Sequence, residues 1–195
     1  MVKRVGARIA AVSGHPEYQW EYLLIQDDRQ VNAFALPGGK VAVYTGILPI
    51  TKDQGGLAAV LGHEIGHVVA RHGGERMSQQ MGVNAAVETL AGLSSGNPAV
   101  VQSVSALLGA GASVGVLLPW GRAQESEADH LGLILMAKAG YDPHAARDLW
   151  VRMADQATKT GGKPPEFLST HPSETTRITQ IQTWMPEAMQ YYKPR

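Results

Sequence analysis

The chain has 195 residues, 44% of them hydrophobic, and its 17 basic side chains balance 17 acidic ones. This length and composition predict one globular domain with a substantial core, and the neutral charge gives no reason to expect nucleic acid as a partner. Because the sequence has no cysteine, disulfides are excluded and any transition-metal site must use histidine and carboxylate ligands.

The N-terminal segment, M-V-K-R-V-G-A-R-I-A-A-V-S-G, carries charges and lacks an apolar run long enough for a signal peptide. Residues 2–13 suit a short amphipathic helix, because Val5, Ile9 and Val12 recur near the helical period. If the natural protein is exported, we expect its targeting segment to lie outside this chain.

Three aromatic and β-branched runs follow the first helix, at residues 18–26, 30–36 and 40–45. The sequences D-D-R and P-G-G separate them, and these residues favour turns. The pattern predicts a small antiparallel sheet.

The remainder of the chain has helical patterns. Thr51 or Asp53 is suited to cap a helix that runs to about Arg71, although glycines weaken its first turns. Glycine and proline signals then delimit further predicted helices at 75–93, 98–118, 121–139, 143–158 and 173–188, the last opened by Pro172. The sequence therefore predicts an α+β fold, mostly helical, with residues 1–195 in a single domain and residues 75–118 as a helical insertion.

Residues 60–70 read V-L-G-H-E-I-G-H-V-V-A, with two histidines four positions apart. On a helix these positions share one face, so His63 and His67 can point their imidazoles at a common point. This is the H-E-x-x-H arrangement of zinc hydrolases, with Glu64 beside the first histidine. The alternative is two buried, hydrogen-bonded histidines and an incidental surface glutamate.

A second helical stretch, E-S-E-A-D-H-L-G at 125–132, carries two carboxylates four positions apart. A catalytic zinc takes three protein ligands, and Glu125 would complete a His-His-Glu set. Asp129, one turn later, is suited to accept the other N–H of His63, whereas Glu127 faces away. An ordinary solvated acidic helix face is the alternative, but the joint occurrence with H-E-x-x-H favours a metal site.

His171 lies in L-S-T-H-P-S-E-T-T-R, just before the last predicted helix. From there it could stabilise the oxyanion of a tetrahedral intermediate, or occupy the open zinc position and hold an enzyme idle. It could equally cap the last helix, and the sequence does not separate these roles.

Together, V-L-G-H-E-I-G-H-V-V-A-R-H, E-S-E-A-D-H-L-G and T-H-P-S-E-T-T-R resemble the zinc metalloendopeptidases of peptidase family forty-eight. These gluzincins include the LoiP- and BepA-like bacterial branch, which the chain resembles most, and relatives such as HtpX, CAAX prenyl protease and the mitochondrial Oma-type proteases. The resemblance implies a zincin-like metallopeptidase domain in which a small antiparallel sheet lies beside the catalytic helix.

The resemblance also implies roles for individual residues around one Zn²⁺ per chain. The implied zinc ligands are His63, His67 and Glu125, with Glu64 as the general base. Asp129 matches the family's supporting carboxylate, and His171 matches its regulatory or transition-state histidine. Arg177 matches the arginine that follows the H-P motif. The chain departs from the family pattern at Gly121, which precedes Arg122 where a serine is usual, and at K-D-Q-G-G-L.

The implied substrates are unfolded or extended proteins of the cell envelope, and the implied location is periplasmic or membrane-associated. We expect the substrate to add as a strand to the segment Asn32, Ala33, Phe34, Ala35 and Leu36, whose lack of bulky specificity features favours broad selectivity. Two other functions remain possible: a chaperone-like zinc-bound module closed by His171, and a purely structural helical protein without metal.

Residues 89–120 contain no charged residue. Their length would suffice for a transmembrane helix, but Gln102 and several serines and glycines lower the mean hydropathy. A helical pair or lid over the cleft is the favoured interpretation, with a membrane-surface or envelope-protein contact as the next. The sequence leaves the oligomeric state open.

Overall fold

A computed structural model describes residues 1–93, 99, 102, 118–159, 166–171 and 176–194. The strands are β1 (Glu21–Ile25), β2 (Ala33–Leu36) and β3 (Lys40–Tyr44), followed by a 3-10 turn at Thr45–Ile47. The helices are α1 (Val2–Ala10), α2 (Leu48–Thr51), α3 (Gln54–Val69), α4 (His72–Leu93), α5 (Leu118–Lys138), α6 (His144–Lys159), α7 (Glu166–Thr170) and α8 (Arg177–Tyr191). The predicted fold class, mostly helical with a small sheet, is confirmed.

Most predicted elements exist with shifted ends, as is usual where helices fray. The first helix ends at Ala10, ahead of the bend that leads to Gly14 with its positive φ of 82°. The short helix α7 was not predicted. The predicted helix at 98–118 lies almost wholly outside the described residues, as does Pro172, and the last helix begins at Arg177.

The sheet is mixed, so the prediction of an antiparallel sheet is wrong for its first strand. β3 lies in the centre, antiparallel to β2 and parallel to β1. A tight turn at Gly38 and Gly39, with φ values of 88° and 103°, closes the β2–β3 hairpin. β3 also has the most buried side chains of the three strands, with Val41, Ala42 and Val43 all buried.

The two faces of the sheet differ in burial. Val41 and Val43 point into the core, which α1 and α3 help to form. On the other face, Leu23 of β1 is 59% exposed and Leu36 of β2 is 48% exposed. Register pairs Leu36 with Lys40 and Leu23 with Ala42, so these side chains share the outer face.

The chain divides into two compact units. One comprises Met1–Ala70 with Glu125–Arg195, and the other comprises Arg71–Gln124. The prediction that 1–195 form a single domain with an insertion at 75–118 stays a prediction. Within the described ranges, no helix combines the length and the apolar character needed to cross a membrane. Most of the charge-free segment 89–120 lies outside the described residues, so its proposed contacts stay predictions too.

Candidate active site

Helix α3 carries the H-E-x-x-H motif through the interior of the first unit. It begins where the Asp53 carboxylate accepts a hydrogen bond from the Gly56 N–H at 2.9 Å, as an N-cap residue does. Every residue from Gly56 to Val68 is buried, including both histidines and the glutamate of the motif. A helix buried all round is apolar except where polar groups have partners, so these three side chains require partners from elsewhere in the fold.

Glycines let α3 and α5 approach closely enough to supply those partners. A Cβ atom on Gly132 would lie 2.7 Å from the Gly62 carbonyl carbon and 2.7 Å from the His63 nitrogen. One turn away, a Cβ on Gly66 would lie 2.8 Å from the Ala128 carbonyl oxygen. The two backbones are therefore in direct contact, and this contact brings the carboxylates of α5 to the histidines of α3.

Four potential metal ligands converge at this crossing. His63, His67, Glu125 and His171 each offer one ligand atom, and these atoms all lie within 4.8 Å of one another. The Nε2 atoms of His63 and His67 are 3.1 Å apart, and they lie 3.2 Å and 3.3 Å from the two Glu125 oxygens. A tetrahedron with bonds of about 2.0–2.1 Å has edges of about 3.3 Å. The donor atoms therefore fit a tetrahedral zinc ion.

Glu64 lies against this cluster. Its side chain is 2% exposed, and its Oε1 lies 3.3 Å from the Nε2 of His171. The backbone of Ala35 in β2 lies close enough to the same carboxylate to favour its ionised form. The predicted general base thus lies between the predicted metal ligands and the predicted substrate strand. Of that strand, Ala33–Leu36 form β2, and Asn32 precedes it with its side-chain oxygen accepting the Ala33 N–H at 2.9 Å.

Asp129 and Arg177 hold the cluster in place through contacts with His63 and His171. Asp129 Oδ1 lies 2.8 Å from the Nδ1 of His63, and Arg177 donates to both Asp129 oxygens. Arg177 also donates to the His171 carbonyl oxygen at 3.3 Å. The structure therefore brings together all seven side chains predicted for catalysis, metal binding and support: His63, Glu64, His67, Glu125, Asp129, His171 and Arg177.

Burial and hydrogen bonding set the ionisation of the cluster. Burial lowers the pKa of His63, but the hydrogen bond to Asp129 outweighs it and raises this pKa to about 9. Burial dominates at His67 and lowers its pKa to about 3. Burial opposes ionisation of Glu125, yet hydrogen bonds from His171, His63 and His67 hold its pKa below the ordinary range. His67 is thus neutral and Glu125 ionised, which are the forms that bind metals, whereas His63 carries a proton that a metal ion would displace.

Glu64 shifts in the opposite direction from Glu125. Burial raises the pKa of Glu64 above its ordinary value. Burial also opposes ionisation of Asp129, but the neighbouring Arg177 charge holds the Asp129 pKa below its usual range. The site therefore contains carboxylates with two characters: Glu125 and Asp129 stay ionised, and Glu64 is shifted toward the pKa of an acid–base group.

Two aromatic residues at the site were missed by sequence reasoning. The Trp150 and Phe167 rings each lie 6.0 Å from the His63 ring and stack on each other at 5.7 Å. The Arg177 guanidinium carbon lies 3.7 Å from the centre of the Trp150 ring. Phe167 lies four residues before His171, a helical spacing that could have indicated it, whereas nothing local to Trp150 points to the site.

Helix α7 explains how His171 reaches the cluster. The Phe167 N–H donates to the Val31 carbonyl oxygen at 2.9 Å, just before β2, and the His171 N–H donates to the Phe167 carbonyl oxygen at 2.9 Å. His171 follows this short helix and turns its ring inward, with Nδ1 3.0 Å from Glu125 Oε2. It does not cap the last helix, which begins six residues later.

Comparison with known proteins places this site in a family. The family model described as peptidase family M48 matches residues 1–185. The chain is 46% identical over 187 residues to the mitochondrial metalloendopeptidase OMA1 of Schizosaccharomyces pombe, covering 96% of this chain and 53% of that protein. It is 38% identical over 185 residues to the same-named protein of Saccharomyces cerevisiae, covering 90% and 50%.

A bacterial relative shows lower identity. The beta-barrel assembly-enhancing protease of Yersinia pestis is 32% identical over 187 residues, covering 91% of this chain and 37% of that protein. Of these three relatives, the fungal proteins share more residues with the chain than the bacterial one, although the motifs suggested the bacterial branch first. The chain spans about half the length of the fungal relatives. With a family model that matches almost end to end, and relatives of this identity, the chain belongs to peptidase family M48.

Proposed function

We propose that this chain is a zinc-dependent metalloendopeptidase that hydrolyses peptide bonds in unfolded or damaged proteins. One observation carries the proposal: the ligand atoms of His63, His67 and Glu125 converge at tetrahedral spacing, with the buried Glu64 carboxylate next to them. Neither buried histidines alone nor a solvated acidic face would require this convergence.

The chemistry divides between the bound metal and the protein. Held by His63, His67 and Glu125, one Zn²⁺ would supply a water of lowered pKa and polarise the scissile carbonyl group. Glu64 accepts the proton from the attacking water and delivers it to the leaving amine. Its raised pKa suits both tasks, because a carboxylate with an ordinary pKa is a weak base near neutral pH.

Asp129 and Arg177 act by orienting His63. The carboxylate next to Nδ1 fixes a proton on that nitrogen, so a metal ion would bind at Nε2 in place of the second ring proton. Arg177 in turn fixes Asp129 by two hydrogen bonds. We propose that these two residues preserve the geometry of the ligands without contacting the substrate.

The substrate lies extended along β2. The packing of β2 against α3, with the Ala35 backbone next to the Glu64 carboxylate, supports this proposal, because it brings the strand next to the proposed general base. A peptide added at the edge of β2 away from β3 would donate main-chain hydrogen bonds to the Ala33 and Ala35 carbonyl oxygens and present a peptide bond to Glu64.

A second candidate state is a latent enzyme or client-binding module closed by His171. The observation that favours it is the position of the His171 Nδ1 atom, 3.1 Å from His63 Nε2 and 3.0 Å from a Glu125 oxygen. In this position the ring takes the fourth corner of the ligand cluster, where a water would otherwise bind.

Replacing His171 by alanine distinguishes the two roles of this histidine. If the ring closes the site, His171→Ala increases casein cleavage at unchanged zinc content. If the ring stabilises the oxyanion, the same variant loses about 100- to 1000-fold in kcat. Absence of cleavage in both proteins, with zinc bound, would favour the client-binding module.

We further propose a periplasmic or membrane-associated location in the cell envelope and a role in protein quality control. The name of the bacterial relative, which refers to β-barrel assembly, supports this proposal. Residues 89–120 would provide a membrane-surface or envelope-protein contact.

Zinc removal and replacement test the proposed function. The zinc-loaded chain should cleave denatured casein, lose this activity on chelation and regain it with one equivalent of zinc. Glu125→Gln removes the anionic ligand at nearly constant size, so it should lose both zinc and cleavage. Glu127→Gln, an exposed residue on the same helix, is the matched control and should retain both. Cleavage that survives chelation, or full zinc content in Glu125→Gln, would contradict the proposal.

A further inference from the structure

Strand β2 presents different side chains to its two faces. Ala33 is 1% exposed and points into the core, whereas Leu36 is 48% exposed on the outer face. Phe34 shares the outer face with Leu36, since the two pair with Ala42 and Lys40 of β3, and its ring contacts Tyr44 at 6.3 Å. The proposed substrate strand therefore has small residues on one face and large apolar ones on the other.

The hydrogen-bonding pattern identifies the edge of β2 that adjoins Glu64. The Asn32 and Leu36 carbonyl oxygens accept hydrogen bonds from the Tyr44 and Gly39 N–H groups on the β3 side. Because main-chain groups alternate along a strand, those of Ala33 and Ala35 point to the opposite edge. β2 packs against α3, and the Ala35 backbone at that edge lies next to Glu64, so this is the edge where a substrate strand would reach the general base.

A peptide paired at this edge must alternate its own side chains between the two faces of the sheet. Every second substrate side chain would lie beside Phe34 and Leu36 on the outer face, at the distance of cross-strand neighbours. An apolar side chain there would remove part of the exposed Leu36 surface from water, whereas a charged one would be partly desolvated without a partner.

We propose that Phe34 and Leu36 are specificity-determining residues that select extended segments with apolar side chains at alternating positions. This inference rests on the proposed function and deepens it by naming the substrate class. Alternating apolar residues are the pattern of half-buried β-strands, which become accessible when a protein unfolds. The enzyme would thus recognise the buried strands of unfolded β-rich proteins, a selectivity that the sequence-based view of a featureless strand did not include.

Two internally quenched peptides of equal composition test the inference. In one peptide, apolar residues (leucine and valine) alternate with polar residues around the cleavable bond. In the other, the same apolar and polar residues are grouped in two blocks. The parent should cleave the alternating peptide with a kcat/KM about tenfold higher, within the range that one apolar contact provides. Leu36→Thr should bring this ratio to within about twofold of unity.

Leu23→Thr is the matched control. Leu23 is also exposed on the outer face, but β3 separates its strand from β2, so the substrate lies out of its reach. This variant should keep the parental ratio, and thermal unfolding should show that both variants are folded. Equal cleavage of the two peptides by the parent, or equal loss of preference in the two variants, would overturn the inference and leave the proposed function intact. Failure of the parent to cleave either peptide or casein would overturn the proposed function, and the inference with it.

Discussion

Two regions depart in opposite ways from the usual burial of apolar and exposure of polar side chains. One is the crossing of α3 and α5, and the other is the outer face of the sheet. At the crossing, ionisable groups are buried: His63 and Glu64 are both 2% exposed. On the sheet, leucines of β1 and β2 are exposed. Buried polar groups and exposed apolar patches are the informative deviations in a globular protein. β2 joins the two regions, because its Ala35 backbone lies next to Glu64.

Under the proposed function, this difference would separate reaction from recognition within one small fold. The buried cluster must hold charges away from water, so each member has partners that it cannot lose without a large cost. Substitutions on the outer face of the sheet should cost little stability, because its side chains already contact water. Changes in the two regions should therefore differ in what they affect, with stability and metal binding at the crossing and selectivity on the sheet.

The largest expected effect on stability is at Arg177. This side chain is 4% exposed and forms an ion pair with the buried Asp129. Arg177→Met would remove two hydrogen bonds and the adjacent positive charge from that carboxylate, which would keep its contact with His63, and should lower the free energy of unfolding by about 3–5 kcal/mol. Urea unfolding at saturating zinc measures the change.

Arg147→Met is the control, because Arg147 pairs with Asp148 where both side chains are about half exposed. That pair should contribute below about 1 kcal/mol. Similar losses in the two variants would show that the Arg177–Asp129 pair behaves as a surface pair.

A smaller effect is expected where the two helices touch. Gly132→Ala would place a Cβ 2.7 Å from the backbone of α3, which must move. We expect a loss of about 1–3 kcal/mol in the free energy of unfolding and weaker zinc binding, since α5 carries Glu125. Gly82→Ala in α4, where a Cβ meets nothing within 4 Å, should be neutral or stabilising by up to about 1 kcal/mol. Unchanged zinc affinity in Gly132→Ala would contradict the role of this contact.

The smallest effect on stability is expected on the outer face of the sheet, and two substitutions of apolar residues by threonine compare the two faces. Val43 is fully buried, so Val43→Thr should lower the free energy of unfolding by about 1–3 kcal/mol through its buried hydroxyl group. Leu23 is exposed, so Leu23→Thr should change it by less than about 0.5 kcal/mol. Thermal or urea unfolding checks both, and a large loss in Leu23→Thr would mean that the outer face belongs to the core.

The residues of the site were predictable from sequence because their spacing is local. His63 with His67 and Glu125 with Asp129 each lie four positions apart, and helix geometry alone aligns such pairs. Their meeting was not derivable from spacing, because it depends on Gly62 facing Gly132 across 70 residues of chain. The family resemblance supplied that step.

The fold was predictable in class and less so in pairing. The strands and long helices followed from their composition, but the parallel pairing of β1 with β3 is a long-range contact that no local turn encodes. The role of Trp150 beneath Arg177 was also missed, since an aromatic residue on a helix usually indicates core packing. The exposure of Leu36 depends on which face of the sheet the helices cover, which the strand sequence does not determine.

The most direct test of the central claim measures zinc content and casein cleavage on the same preparations of the parent and Glu64→Gln. Glu64 lies beside the ligand atoms without being one of those that converge, so the variant should bind one zinc per chain, as the parent does. Its kcat should fall by about 100- to 10,000-fold, the contribution of a general base. Equal cleavage by the two proteins at equal zinc content would contradict the assignment of Glu64.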